Sequence, residues 1–93
     1  MIEVSIALQN DIGLHARPAA LFVATASQFL SSIWVRKAGS DAWVDAKSIL
    51  SILMLGIESG QAIEIRVDGS DELEAVSALT ELVEHNFPTE NHG

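Results

Sequence analysis

The sequence predicts a two-layer α+β domain whose elements follow the order β-α-β-β-α-β-α. Two segments, 2–8 and 62–67, alternate between apolar and polar residues, as strands do when one face of the sheet is wet. Two others, 18–30 and the segment from Ser70 to before Pro88, repeat apolar residues every three or four positions, as amphipathic helices do. Strands that are wet on one side need helices only on the other, which gives two layers.

The first strand covers residues 2–8, and a turn containing Gly13 ends it. Pro18 fixes the start of the first helix to within a residue or two, because proline is tolerated only in the first turn of a helix. This helix is expected to extend to Leu30. Its predicted apolar stripe consists of Ala19, Phe22, Val23, Ala26 and Leu30.

The middle of the chain predicts a β-hairpin. Residues 32–36 and 42–46 are short β-prone runs around KAGSD, whose glycine, serine and aspartate suit a hairpin connection. Trp34 and Trp43 are expected to pair across this hairpin, which is a structural role rather than a ligand platform.

A short helix is predicted next. Ser48 is a suitable N-cap for a helix from Ile49 to about Leu55, and Gly56 can end it. The segment is apolar almost all round, which exceeds what one buried stripe requires. Part of this helix should therefore face solvent.

The last strand, 62–67, is expected to end at Asp68-Gly69, and the last helix to begin near Ser70 and end before Pro88. Acidic residues in its first turn complement the helix dipole. Its predicted apolar stripe consists of Leu73, Val76, Leu79, Leu82 and Val83. One domain, 1–87, followed by a mobile tail, 88–93, is therefore expected.

Charge and composition exclude several function classes. The formal net charge is -8, so nucleic-acid binding, which relies on basic residues, is not expected. The chain has no cysteine, which removes disulfides and thiolate chemistry. No apolar run reaches the ~20 residues of a membrane span, and no secretory signal precedes the first strand, so a cytoplasmic protein is expected. His15, His85 and His92 lack metal-ligand spacing, and neither a metal nor a cofactor is predicted.

The stretch GLHARPAA, residues 13–20, carries the candidate chemistry. His15 lies at the mouth of the first helix, where unpaired amides and the helix dipole favour an anion. Arg17 adds a planar cationic group suited to phosphate oxygens. Histidine as a residue type titrates near ~6.5, so it can be a neutral nucleophile that accepts and releases a phosphoryl group. Taken by itself, this spacing also fits an ordinary surface histidine beside a solvated arginine.

GLHARPAA, then Lys47-Ser48-Ile49 opening a short apolar helix, then a strand ending DGSDE before an amphipathic helix, resembles HPr. HPr is the phosphocarrier family of the bacterial phosphoenolpyruvate-dependent phosphotransferase system, and the similarity covers about residues 2–86. It implies an open-faced sandwich of four antiparallel strands under three helices. It also implies that His15 takes a phosphoryl group from phosphorylated Enzyme I on Nδ1 and gives it to an EIIA-type acceptor domain in sugar uptake.

The resemblance implies further site residues and partners. Arg17 and the first-turn amides of Ala16 and Arg17 would stabilise the phosphate, and Ser48 would be a regulatory site for a serine kinase and phosphorylase. The exposed part of the short helix would meet Enzyme I and the acceptors, and its residues would be Ile49, Leu50 and Leu53. A monomer without independent catalytic turnover is expected.

The sequence departs from the family pattern in ways that leave alternatives open. Ile12 stands where a small polar residue is common, and Asp11 could orient His15, although a role in the turn is favoured. Ala24, Ser27 and Gln28 replace lysines common in sugar-pathway members, so steering by charge should be weaker. AKSILSILMLG is similar to the nitrogen-related paralogue NPr, so a regulatory relay or interaction module is the alternative to sugar uptake. A free-standing hydrolase lacks a second acid, base or metal cluster beside His15.

Overall fold

The protein is an open-faced sandwich in which three helices cover one side of a four-stranded antiparallel sheet. The computed structural model describes residues 1–9, 13–85 and 87. Its elements are β1 (Ile2–Ala7), α1 (Ala16–Ala26), β2 (Ser32–Lys37), β3 (Val44–Asp45), α2 (Ile49–Met54), β4 (Ala62–Asp68) and α3 (Glu72–Glu84). The strands lie in the order β1-β4-β2-β3, and each neighbouring pair is antiparallel. The predicted fold class and element order are confirmed.

The register of the sheet brings apolar side chains together on the side that the helices cover. Ile33 lies opposite Val67, and Val35 lies opposite Ile65. Alternate residues of these strands are buried, as the period of two requires. Ile6 and Ile63 add to the core from the sheet, and the helices and loops contribute Leu8, Leu14, Ala19, Phe22, Ala26, Ala46, Ile52, Ile57, Ala75, Leu79, Val83 and Phe87.

The first helix is shorter at its C-terminal end than the sequence predicts. It begins at Ala16, within the predicted distance of Pro18, but ends at Ala26 rather than at Leu30. The amide of Phe29 bonds to the carbonyl of Ala26, a tighter i to i+3 spacing that turns Phe29 toward the core. The prediction that Leu30 belongs to the buried stripe is therefore wrong, since Leu30 is 86% exposed.

The stripe of the last helix is also corrected. The helix begins at Glu72, and its buried residues are Ala75, Leu79 and Val83, which recur every four positions. Leu73 precedes Ala75 by two residues, a rotation of about 200° around the helix axis. Leu73 consequently faces solvent and is 73% exposed, contrary to the prediction.

The predicted tryptophan pair does not form the hairpin's cross-strand contact. β3 contains only two residues, and its register places Asp45, rather than Trp43, opposite Trp34. The Trp43 ring instead lies against two guanidinium groups, with Arg36 at 4.5 Å and Arg66 at 4.3 Å from the ring centroid. The ring thus makes cation–π contacts with one arginine on each of two neighbouring strands, β2 and β4. The spacing of residues along the hairpin does not reveal this arrangement.

The loop before α1 lies directly against the loop after α2. The amide of Leu14 donates to the carbonyl of Ile57 at 2.9 Å, and the Leu14 side chain is fully buried. Gly13 has a φ of +69°, and a Cβ at this position would lie 2.3 Å from the carbonyl oxygen of Ile57. Only glycine fits both the left-handed backbone and the close approach.

The opposite end of α1 is tied to the start of α3. The Asp71 carboxylate accepts hydrogen bonds from the amides of Leu30 and Ser31, at 2.8 and 2.9 Å, and from the Ser31 hydroxyl. The Ser31 hydroxyl, followed by the Leu30 amide, lowers the pKa of Asp71 below its usual value of 3.8. Asp71 therefore connects two segments that are far apart in sequence.

The close contact at Gly13 should make the stability of the fold sensitive to substitution at this position. Gly13→Ala should lower the free energy of unfolding by more than the ~1–2 kcal/mol that a left-handed backbone costs, because its Cβ also collides with Ile57. Gly39→Ala is the control, since Gly39 has a φ of +88° with nothing within 4 Å of an added Cβ. Urea unfolding measures both variants, and an equal loss in the two would contradict the steric argument.

The lowered pKa of Asp71 generates a prediction about acid stability. A carboxyl whose pKa is lower in the folded protein stabilises the fold above its usual pKa of 3.8 and ceases to do so as the pH falls through the folded value. The unfolding free energy should therefore fall as the pH drops below 3.8, and less steeply in Asp71→Asn.

Denaturant unfolding between about pH 2 and pH 7, a range that spans carboxyl titration, measures this slope. The exposed Asp41→Asn is the control for loss of one negative charge. Parallel acid limbs for wild type and Asp71→Asn would show that the bonds to Leu30 and Ser31 do not couple folding to protonation.

Candidate functional site

His15 is the N-cap residue of α1. Its backbone is extended, with φ -120° and ψ 160°, and its side chain makes no capping hydrogen bond. The imidazole is 38% exposed, so a partner can reach it. Because Pro18 is the third residue of the helix, the histidine lies at the helix mouth, where the first amides lack partners within the helix.

Ala16 and Arg17 are the first two residues of α1, and both are exposed. Ala16 has a φ of +46°, a left-handed conformation that costs a residue with a Cβ about 1–2 kcal/mol. Such strain is often retained at functional sites. The Arg17 guanidinium donates through Nη1 to the carbonyl of Phe87 at 3.3 Å, which holds it against the chain beyond α3.

Glu58 also belongs to the site and is not among the residues that the sequence predicts. Its Oε2 lies 3.3 Å from Nε2 of His15, across a separation of 43 residues. The backbone of Glu58 is held by Gln61, whose side-chain oxygen accepts from the Glu58 amide and whose own amide donates to the Glu58 carbonyl. In the sequence, this position is marked by the turn-forming segment GIESG, residues 56–60, after the short helix. The packing of Gly13 on Ile57 is what brings that turn to His15.

Ser48 is the N-cap of α2, as predicted. Its hydroxyl accepts a hydrogen bond from the Ser51 amide at 3.3 Å. The neighbouring Lys47 donates through Nζ to the carbonyl of Phe29 at 2.8 Å, so the start of α2 lies beside the chain that leaves α1. The far end of α2 leads to Glu58, and the structure therefore places Ser48 and His15 toward opposite ends of the α1–α2 pair.

The exposed side of α2 is apolar. Ile52 is fully buried, whereas Ile49, Leu50 and Leu53 are 40%, 69% and 38% exposed. Met54 is 83% exposed and extends the same surface, although it is not among the predicted docking residues. We call Ile49, Leu50, Leu53 and Met54 the α2 patch.

Two of the five basic residues are used on the outer face of the sheet, away from the helices. Arg36 pairs with Glu64 at 2.5 Å, and Arg66 pairs with Glu3 at 2.8 Å, while both guanidinium groups stack on Trp43. Arg17, by contrast, lies on the same helical turn as His15. Basic character near the histidine thus comes from Arg17 and the helix terminus.

Some predictions fall outside the described residues, namely those on Asp11 and Ile12 before the helix, on His92, and on the tail, 88–93. Among residues 1–9, 13–85 and 87, no group of three or more histidine, cysteine or acidic side chains could hold a metal ion. In that same part of the chain, no helix is long and apolar enough to cross a membrane.

Known proteins resemble this chain over nearly its whole length. The family described as PTS HPr component phosphorylation site matches residues 2–85. The phosphocarrier protein HPr of Neisseria meningitidis serogroup A is 46% identical over 87 residues, which cover 94% of this chain and 96% of that protein.

Solved structures also resemble this chain. HPr-C-His from Thermoanaerobacter tengcongensis superposes with a TM-score of 0.90 at 49% identity, covering 98% of this chain and 100% of that one. Crh, the catabolite repression containing protein of Bacillus subtilis, a dimer with a swapped domain, has a TM-score of 0.70 at 34% identity and covers 96% of this chain and 100% of its own. The chain therefore belongs to the HPr family, the phosphocarriers of the phosphotransferase system.

Proposed function

We propose that this protein accepts a phosphoryl group from phosphorylated Enzyme I on Nδ1 of His15 and transfers it to EIIA-type acceptor domains, in the cytoplasm and in the service of sugar uptake. The observation that carries the proposal is an accessible imidazole at the N-cap of an eleven-residue helix in a chain of the HPr family. Phosphoryl transfer depends mainly on positioning and charge stabilisation, so a small domain can supply the nucleophile while its partners supply the rest.

The first turn of α1 would hold the phosphate. The amides of Ala16 and Arg17 lie at the positive end of the helix dipole, which favours a dianion beside His15. Arg17 presents five N–H donors in one plane and can exchange the neutral carbonyl of Phe87 for charged phosphate oxygens. The Phe87 carbonyl is neutral whereas the phosphate oxygens carry negative charge, so the guanidinium would be attracted more strongly to the phosphate.

The α2 patch would be the docking surface for Enzyme I and the acceptors. The net charge of -8 gives little attraction to an acidic partner surface, so apolar contact through Ile49, Leu50 and Leu53 would supply much of the affinity. Ser48 would be a regulatory phosphorylation site for a serine kinase, because a phosphate at a helix N-terminus adds negative charge beside this patch. The carrier is expected to act as a monomer without turnover of its own.

A regulatory relay is the second candidate function. The similarity to Crh, a protein of catabolite repression, favours it, because a fold shared at a TM-score of 0.70 serves regulation in that protein. In this alternative, as in an NPr-like relay, a partner reads the phosphorylation state of His15 and no sugar-specific acceptor receives the phosphate.

Substitution of His15 tests the site of phosphorylation. Incubation with phosphoenolpyruvate and cognate Enzyme I should add one acid-labile phosphate to the wild type and none to His15→Ala, because the nucleophile is missing. Intact-mass measurement before and after acid treatment detects it.

The same experiment separates the two candidate functions. Purified phosphoprotein is mixed with EIIA-type domains, and loss of phosphate from His15 to the acceptor supports the carrier role. Retention of phosphate on His15 with every such domain would favour the regulatory relay. Equal labelling of wild type and His15→Ala would refute the assignment of the nucleophile.

The α2 patch is tested by comparing two exposed leucines. Leu50→Ser should raise the KM of Enzyme I for this protein by about fivefold or more, the effect of losing ~1 kcal/mol of apolar contact. Leu73→Ser is the matched control, because Leu73 is 73% exposed and lies on α3, outside the α2 patch. Equal KM values for the two variants would contradict docking through α2.

A further inference from the structure

The contact between Glu58 and His15 favours one tautomer of the neutral imidazole. Oε2 of Glu58 lies 3.3 Å from Nε2 of His15. An ionised carboxylate can only accept hydrogen bonds, so Nε2 must be the N–H donor in this contact. In a neutral imidazole the other nitrogen, Nδ1, then has the free lone pair.

The position of Glu58 is built into the fold. Its amide and carbonyl both bond to Gln61, and the preceding carbonyl, of Ile57, accepts from the Leu14 amide next to His15. Gly13 makes this approach possible, because any larger residue would collide with Ile57 and with the Glu58 backbone. Although the Glu58 side chain is 65% exposed, its backbone is thus fixed relative to the histidine.

We propose that Glu58 is a positioning residue for phosphoryl transfer, which holds His15 as the Nε2–H tautomer with Nδ1 available for attack. The inference rests on the proposed function and adds a residue to it. Glu58 acts through His15 and not on the phosphate, since its carboxylate contacts the nitrogen that does not react.

The transfer step is balanced without a proton leaving the ring. The Nδ1 lone pair forms a bond to phosphorus, while the bond between phosphorus and the donor breaks and its electron pair stays with the donor. The ring then carries a positive charge with its proton still on Nε2, and the Glu58 carboxylate stabilises that charge. On transfer to the acceptor, the Nδ1–P electron pair returns to the ring, which becomes neutral again.

The experiment measures the tautomer and the rate in the same variants. ¹⁵N spectra of labelled histidine at pH ~8.5, where a histidine of ordinary acidity is neutral, report the fraction of the Nε2–H tautomer. This fraction should be highest in the wild type and should fall in Glu58→Ala toward that of free histidine. Phosphorylation by Enzyme I should be about three- to tenfold slower in kcat with KM unchanged, the loss expected when a partly exposed charge-assisted bond is removed.

Two further variants make the comparison specific. Glu58→Gln keeps an oxygen acceptor without the charge, so it should restore part of the tautomer preference and part of the rate. Glu74→Ala removes another exposed glutamate. Glu74 lies in the first turn of α3, at the opposite end of that helix from the Arg17 contact with Phe87, so this variant should match the wild type in both measurements. Unfolding midpoints check that all variants are folded.

The possible results distinguish a failure of this inference from a failure of the proposed function. An unchanged tautomer fraction in Glu58→Ala would overturn it, and so would a changed tautomer with an unchanged rate. If Enzyme I fails to label the wild type, the proposed function and the rate effect both fail, whereas the tautomer comparison still tests the contact itself.

Discussion

The contact between the loop at Gly13 and the loop at Ile57 is the constraint on which the site depends. It joins the start of α1 to the end of α2 through a backbone hydrogen bond, at a distance that excludes any Cβ on Gly13. The contact fixes three things together: the entry of the chain into α1, the burial of Leu14 and the place of Glu58 beside His15. Because backbone rather than flexible side chains makes the contact, the imidazole can be exposed and still have a defined orientation.

The distribution of charge separates the two sides of the molecule. On the outer face, Arg36 and Arg66 are engaged by glutamates and by Trp43, so they contribute to the sheet. On the helical side, the histidine lies between Arg17 on its own helix and the Glu58 carboxylate. In the proposed function, this arrangement would give an acidic chain a local anion site without a general attraction for anions, and it would leave recognition of partners mainly to apolar surface.

Local patterns in the sequence predict most of the fold and the positions of His15 and Ser48 at the starts of two helices. The alternation at 62–67 and Pro18 fix a strand and a helix start, because both depend on neighbouring residues. The end of α1 was missed, since the turn that directs Phe29 toward the core and exposes Leu30 is held by Asp71, which binds Ser31 across forty residues. Glu58 was missed for the same reason: it meets His15 through a contact across 43 residues that no spacing along the chain expresses.

The position of Trp43 has a consequence for observing this protein. The chain contains two tryptophans and no tyrosine, and the alternation of the strands directs both indoles to the outer face. Intrinsic fluorescence therefore originates on the side of the sheet opposite to His15, with one indole held between two guanidinium groups. The emission reports whether the sheet is intact, because the hydrophobic core lies between the indoles and the start of α1. Fluorescence can consequently follow unfolding of the sheet without a direct contribution from changes at His15.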